Sequence, residues 1–214
     1  MMISPGSFYD EIKDKSVEEI KTEIRRLKRS ITKLKTEIEN PSSEPDRVCP
    51  SRDTVIYWSR EYLEMAKKAL ADAGGEYKET KEEERARAFL ERLPQLKRLE
   101  FEIGGFFGDW EKYVIEIDGD ALTRDTVMVL SDLDDPEVET RGGLLEYLRD
   151  MHLEEWRRDY SPGRYGIDIL DGTQWSLKLE YDDGKTREYH GDNVYPWNFG
   201  ELCRLFGFEW TRYE

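Results

Sequence analysis

Hydrophobic positions in the first third of the chain recur with a helical period. Val17, Ile20, Ile24, Leu27, Ile31, Leu34 and Ile38 follow one another at alternating steps of three and four, and Ser16-Val-Glu-Glu19 ahead of them has the spacing of a capping box. The stripe spans three heptads, with Val17, Ile24, Ile31 and Ile38 at the a positions and Ile20, Leu27 and Leu34 at d, a choice compatible with a two-stranded coiled coil. Ser4-Pro5 predicts a short helix before it, to about Ile12. The prolines between Pro41 and Pro50 stop the long helix. A second one is predicted from an Asp53 cap to Ala73, before Gly74-Gly75, with Val55, Trp58, Tyr62, Met65, Ala69 and Ala73 as its apolar stripe. Two stripes joined by a short connection predict an antiparallel helical hairpin, with a homodimer through residues 17–38 as the competing arrangement. Thr80-Lys-Glu-Glu83 opens a third, charged helix that ends near Pro94.

After Pro94 the period changes from helical to alternating. Leu99, Phe101 and Ile103, then Tyr113, Ile115 and Ile117, alternate with polar positions around a turn-rich Gly104-Gly105-Phe-Phe-Gly108-Asp109, which predicts a β-hairpin. A third strand is expected over Thr126–Leu130 and a helix from Thr140 to about Arg158. Trp175, Leu177, Leu179 and Tyr181, an Asp182-Asp183-Gly184 turn and Thr186–Gly191 predict a second hairpin. Pro196 opens a last helix to about Phe206. The order β-β-β-α-β-β-α with hairpin-length links predicts an α+β fold: a coiled-coil-like N-terminal helical hairpin over residues 1–94, then an antiparallel sheet domain with two covering helices over 95–214.

Composition sharpens this picture through charge. The 214 residues carry a formal net charge of −15. Residues 1–94 hold 19 Lys or Arg against 20 Asp or Glu, which leaves −14 for residues 95–214. The densest stretch is Glu116–Glu139, with nine carboxylates against Arg124 alone. Such a field repels nucleic acid and anionic membranes and attracts basic surfaces. No apolar run is long enough to cross a bilayer, and the opening residues lack the basic and apolar regions of a signal peptide, so a cytoplasmic location is expected. Cys49 and Cys203 are too few for a disulfide framework and fit inert thiols.

The segment DGTQWSLKLEYDDGKTREYHGDNVYPWNFGELCRL, residues 171–205, resembles the C-terminal pattern of uncharacterised Firmicutes proteins of mobile-element type. Its features are a Trp-x-Leu-x-Leu-x-Tyr strand, an Asp-Gly turn, and Gly-x-Asn-x-Tyr-Pro before a Phe-containing helix. The opening SPGSFYDEIKDKS is similar to the start of such proteins. The resemblance implies a fold and a bacterial origin, and it carries no activity.

Several motifs bear on candidate chemistry. Asp118-Gly119-Asp120 and Asp132-Leu-Asp134-Asp135 do not follow the order of a calcium loop, so a solvated face or a binding surface is the expectation there. If Tyr113, Ile115 and Ile117 face the core, Glu116, Asp118 and Asp120 project oppositely, as a row of carboxylates about 6.6–7 Å apart. Arg25, Arg26, Lys28, Arg29, Lys33 and Lys35 form a basic run; contact with nucleic acid is one reading, and the solvated back of an amphipathic helix the more economical one. His152, near Glu154 and Glu155, and His190 have no associated nucleophile motif. The Gly104-Gly105-Phe-Phe-Gly108 turn lacks the Lys-Ser/Thr ending of a phosphate loop. No catalytic residue, metal ligand or cofactor is assigned.

These observations favour a non-enzymatic interaction protein. Its acidic domain would bind a basic protein surface through Glu116, Asp118, Asp120, Asp132, Asp134 and Asp135, without binding DNA itself. The concrete form is an anti-CRISPR-like inhibitor that occupies a nucleic-acid-binding complex by mimicry. Two alternatives stand beside it: a small-molecule-binding or hydrolytic domain with a pocket near His190, Asp192 and Tyr195, and a coiled-coil adaptor.

Overall fold

The computed structural model describes residues 3–44, 49–105, 110–126, 138–169, 171–207 and 210. The chain divides into two compact units, Met1–Glu79 and Thr80–Glu214. The charge partition survives at this boundary, because residues 80–94 carry four cations and four carboxylates.

The first unit is helical. Helix α1, Pro5–Ile12, begins where the Ser4 hydroxyl accepts the Ser7 amide. Helix α2, Val17–Glu39, begins with the predicted capping box: Ser16 accepts the Glu19 amide, and the Glu19 carboxylate accepts the Ser16 amide at 2.9 Å. Helix α3 spans Arg52–Asp72 and is capped by Ser51 rather than Asp53, which sits instead in the first turn, where a carboxylate suits the helix dipole. Helices α2 and α3 form the antiparallel hairpin, and α1 packs on α3. Ile20, Ile24, Leu27, Ile31 and Ile38 of the heptad stripe are buried within this one chain.

The buried face of α3 is Ile56, Ser59, Ala66, Ala69 and Leu70, about one residue step around the helix from most of the predicted stripe. Small residues at Ser59, Ala66 and Ala69 admit the branched side chains of α2 closely, so packing chooses them over the larger aromatics. The aromatics lie to one side, and Tyr62 among them serves α1. Tyr62 stacks on Phe8 at 4.5 Å, and its hydroxyl accepts the Ile3 amide and donates to the Ile3 carbonyl.

The second unit opens with α4, Lys81–Arg92, under a second capping box from Thr80 and Glu83. Strands β1 (Leu96–Gly105), β2 (Trp110–Asp118) and β3 (Ala121–Thr126) follow. Helix α5 (Arg141–Asp150), the short β4 (Asp159–Tyr160), β5 (Thr173–Tyr181), β6 (Thr186–Asp192) and α6 (Phe199–Leu205) complete it. The sheet order is β3-β2-β1-β5-β6-β4, antiparallel throughout except where β4 runs parallel to β6. This is the α+β architecture expected, with α4 as well as α5 and α6 contributing to the covered core through Phe89, Leu144, Leu148 and Leu202.

Three elements differ from expectation. The third strand is Ala121–Thr126, paired with β2 through the two-residue turn Gly119-Asp120; residues 127–130 lie outside the described residues. Asp118-Gly119 is a tight-turn signal, and Gly119 has the positive φ such a turn uses. Helix α5 stops at Asp150 instead of continuing to Arg158, because His152 adopts φ 54° and turns the chain into a 3-10 turn, Leu153–Glu155. Strand β4 lies within the stretch expected to separate that helix from the second hairpin, and two residues are too few to show alternation.

An aromatic cluster fills the covered face. Trp175 stands 4.9 Å from Phe199 and 5.6 Å from Tyr160, while Trp156 meets Trp175 and Tyr189 edge to face. Its polar edges are satisfied: Trp175 Nε1 donates to the Val194 carbonyl at 3.0 Å and Trp156 Nε1 to Asn198 Oδ1 at 2.9 Å. A side chain at Gly191 would place its Cβ 2.3 Å from Trp175 Nε1 and 2.5 Å from the Val194 oxygen, so only glycine fits. Asn193, at φ 53°, ties the end of β6 to the start of β5: its Oδ1 accepts the Thr173 amide and its Nδ2 donates to the Asp171 carbonyl. The Gly-x-Asn motif in the last third is therefore a packing and strand-joining device.

Candidate functional site

Strand pairing fixes which residues share each side of the sheet. Leu99, Phe101, Ile115, Leu177, Leu179 and Tyr189 face the helices. The alternate positions form the opposite face: Asp125 and Thr123 on β3, Lys112, Val114, Glu116 and Asp118 on β2, Arg98, Glu100 and Glu102 on β1, Gln174, Ser176, Lys178 and Glu180 on β5, Glu188, His190 and Asp192 on β6, and Asp159 on β4. Among these, nine carboxylates stand against three cations. The β1-β2 part of the face is internally paired. Lys112 bonds Glu100 at 2.7 Å and Glu102 at 3.1 Å, and Arg98 reaches Glu100 at 3.0 Å and Glu116 at 3.7 Å. Burial alone would raise the Glu100 carboxyl, but the Lys112 hydrogen bond and the charges of Lys112, Arg98 and Lys178 outweigh it and hold the group below the usual carboxylate range. The same two carboxylates push the Lys112 ammonium up.

Away from this cluster the charge is less compensated. Among the described residues, Asp118, Asp125, Glu180 and Glu188 make no salt bridge. Trp110, 54% exposed, lies on the same face across from Gly104 at the far end of β2. A large aromatic beside charged groups is the composition of an interface anchor.

The residues singled out from sequence divide three ways. Glu116 and Asp118 are exposed on this face, with Arg98 beside Glu116. Asp120 is exposed in the β2-β3 turn rather than on the strand, and its carbonyl accepts the Arg141 amide at 3.0 Å. Asp132, Asp134 and Asp135 lie outside the described residues. The sequence reading missed Glu180 and Glu188, although the alternation of Trp175–Tyr181 already placed Glu180 opposite the core. These strands are distant in sequence, and only the sheet order brings them beside β1 and β2.

The alternative sites resolve differently. His190 is on the acidic face, its side chain 63% exposed and 3.2 Å from Asp159, whereas Tyr195 packs on Phe199 and Trp210 on the covered side. The two do not converge on one pocket. The basic run on α2 is the outer side of an amphipathic helix: Arg26 forks onto Glu23 at 2.6 and 2.9 Å, and Lys28 donates to the Tyr77 hydroxyl. Of the two thiols, Cys203 is buried, which pushes it well above the usual thiol range, and Cys49 is exposed.

A second cluster forms where α5 breaks. His152 Nδ1 is 3.1 Å from Glu154 Oε1, and donor atoms of His152, Glu154 and Glu155 all lie within 4.8 Å of one another. No described helix is long and apolar enough to cross a membrane. The chain matches no protein-family model, no curated protein and no solved structure.

Proposed function

We propose that this chain is a non-enzymatic interaction protein whose acidic sheet face docks on a basic protein surface. The observation that carries the reading is the bare face itself: nine carboxylates against three cations, on regular strands, with Trp110 exposed at one end. Glu100 and Glu102 on β1, and Glu116 and Asp118 on β2, stand about 6.6–7 Å apart along their strands, while their partners across the strands are cations or uncharged residues, so the excess negative charge is spread over the face rather than stacked. A groove that holds nucleic acid presents the complementary array of Lys and Arg, so the finer form of the proposal is an inhibitor that competes with nucleic acid for such a groove, as an anti-CRISPR-like mimic would. Strands suit this task because their backbone is held by the ladder, so only side chains have to be ordered on contact.

The test uses the triple variant Asp118→Lys, Asp125→Lys, Glu188→Lys, which alters the uncompensated part of the face and spares the Lys112 network. Purified basic nucleic-acid-binding complexes are assayed for capture by the natural chain at low and high salt, with and without their nucleic acid. Capture that fades at high salt, is competed by nucleic acid and disappears in the variant supports the reading. Capture that is indifferent to the reversal removes it.

A further inference from the structure

We propose that His152, Glu154 and Glu155 form a binding site for one divalent transition-metal ion, zinc before others. This site is separate from the docking face, since Leu153 and Trp156 around it are buried in the covered core and Tyr189 donates to the Leu153 carbonyl at 3.2 Å.

The argument starts from Glu154. Its side chain is only 8% exposed, its Oε1 meets His152 Nδ1, and its buried Oε2 has no hydrogen-bond partner among the described residues. A carboxylate withdrawn from water with an oxygen left unsatisfied is unfavourable unless something positive completes it. Glu155 is exposed and the His152 side chain is 34% exposed, so the donor cluster is open to solvent on one side.

The donor set selects the metal. One imidazole nitrogen with two carboxylates suits zinc and its transition-metal neighbours, whereas calcium requires six to eight oxygens. Tetrahedral zinc with bonds of about 2.0–2.1 Å separates its ligand atoms by roughly 3.3 Å. The 3.1 Å between His152 Nδ1 and Glu154 Oε1 is already close to that edge. Two carboxylates balance a dication, and three protein donors leave a position for water.

The backbone supplies the convergence. In a continuous helix, residues 152 and 155 share a side and residue 154 points elsewhere. The left-handed conformation of His152 and the 3-10 turn after it bring all three donors to one place.

Zinc titration of the full chain, by calorimetry and by competition with a chromophoric chelator, tests the site. One equivalent is expected to bind, and His152→Ala and Glu154→Gln are each expected to weaken binding at least tenfold. His190→Ala, which removes the other histidine, should bind as the natural chain does, and magnesium and calcium should not compete. Because Glu154 is buried, thermal melts accompany its variant, and the exposed Glu155→Gln carries the same expectation with less effect on folding. Cobalt bound to the natural chain should give visible d-d absorption that His152→Ala loses. Absence of stoichiometric zinc binding, or binding lost in His190→Ala and kept in His152→Ala, overturns the proposal.

Discussion

The two faces of the six-stranded sheet are written in alternate letters of the same strands, yet they obey different rules. On the covered face, Trp175, Tyr189, Phe101 and Leu177 are wholly or almost wholly buried; the Trp175 and Phe101 rings meet Phe199, and the Trp175 and Tyr189 rings meet Trp156, at defined angles. On the bare face, Glu100, Glu116, Lys112 and Arg98 exchange salt bridges in partial contact with water. Buried apolar area and close packing make the first face the main source of stability. Exposed ion pairs contribute about 0–1 kcal/mol each, so the second face adds little to stability and its residues are less constrained by it. Val114 marks the boundary between the two. It points to the bare face and is nevertheless buried, between the long side chains of Lys112 and Glu116 on its own strand and beside Glu100.

The contrast can be broken most forcefully at its covered side. Trp175→Ala should cost about 3–5 kcal/mol in chemical denaturation, because it opens a cavity at the centre of the aromatic cluster and leaves the Val194 carbonyl without its donor. Gly191→Ala should cost about 1–3 kcal/mol by overpacking, since the added carbon must displace both the Trp175 ring and the Val194 backbone. A melting curve of this variant indistinguishable from the natural one would show that β6 and the following turn can yield.

The bare side should respond in the opposite sense. Arg98→Ala is expected to shift stability by no more than about 1 kcal/mol, despite its bonds to two carboxylates. The triple reversal at Asp118, Asp125 and Glu188 should change stability by still less per residue, within about 0.5 kcal/mol each, while abolishing the proposed docking. A smaller effect comes from pH. The Glu100 carboxyl is held below its ordinary range in the folded chain, so the unfolded chain binds the proton more readily. That contribution is complete above the ordinary carboxylate range and is lost as pH falls through the folded value. Denaturation between neutral pH and about pH 3 should therefore show a decline that Glu100→Gln flattens.

Legibility in the sequence followed the strength of local signals. Ser16-Val-Glu-Glu19 and Thr80-Lys-Glu-Glu83 read as capping boxes and are capping boxes, because the geometry involves four consecutive residues. The β5-β6 hairpin was equally plain from alternation and the Asp182-Asp183-Gly184 turn. The face of α3 was not, since Trp58 and Tyr62 look more hydrophobic than Ser59 and Ala66, and only the close approach of α2 favours the smaller pair. The row of carboxylates Glu116, Asp118 and Asp120 was half right. The Asp-Gly pair that ends β2 takes Asp120 off the strand, and the attraction of a charge pattern concealed a turn pattern.

By itself, then, the amino-acid sequence determined the class of fold, the helical and alternating segments, and the concentration of negative charge in the second unit, all of which depend on neighbours within a few residues. Tertiary structure decided what those segments meet. It set β5 beside β1, so that Glu180 and Glu188 joined the acidic face, and it closed the heptad stripe against α3 within one chain. At His152 it broke a helix and gathered a histidine and two glutamates that a regular helix would have kept apart. The physical reason is common to all three: periodicity assigns a residue to a side, while the packing of distant elements decides what occupies the space on that side.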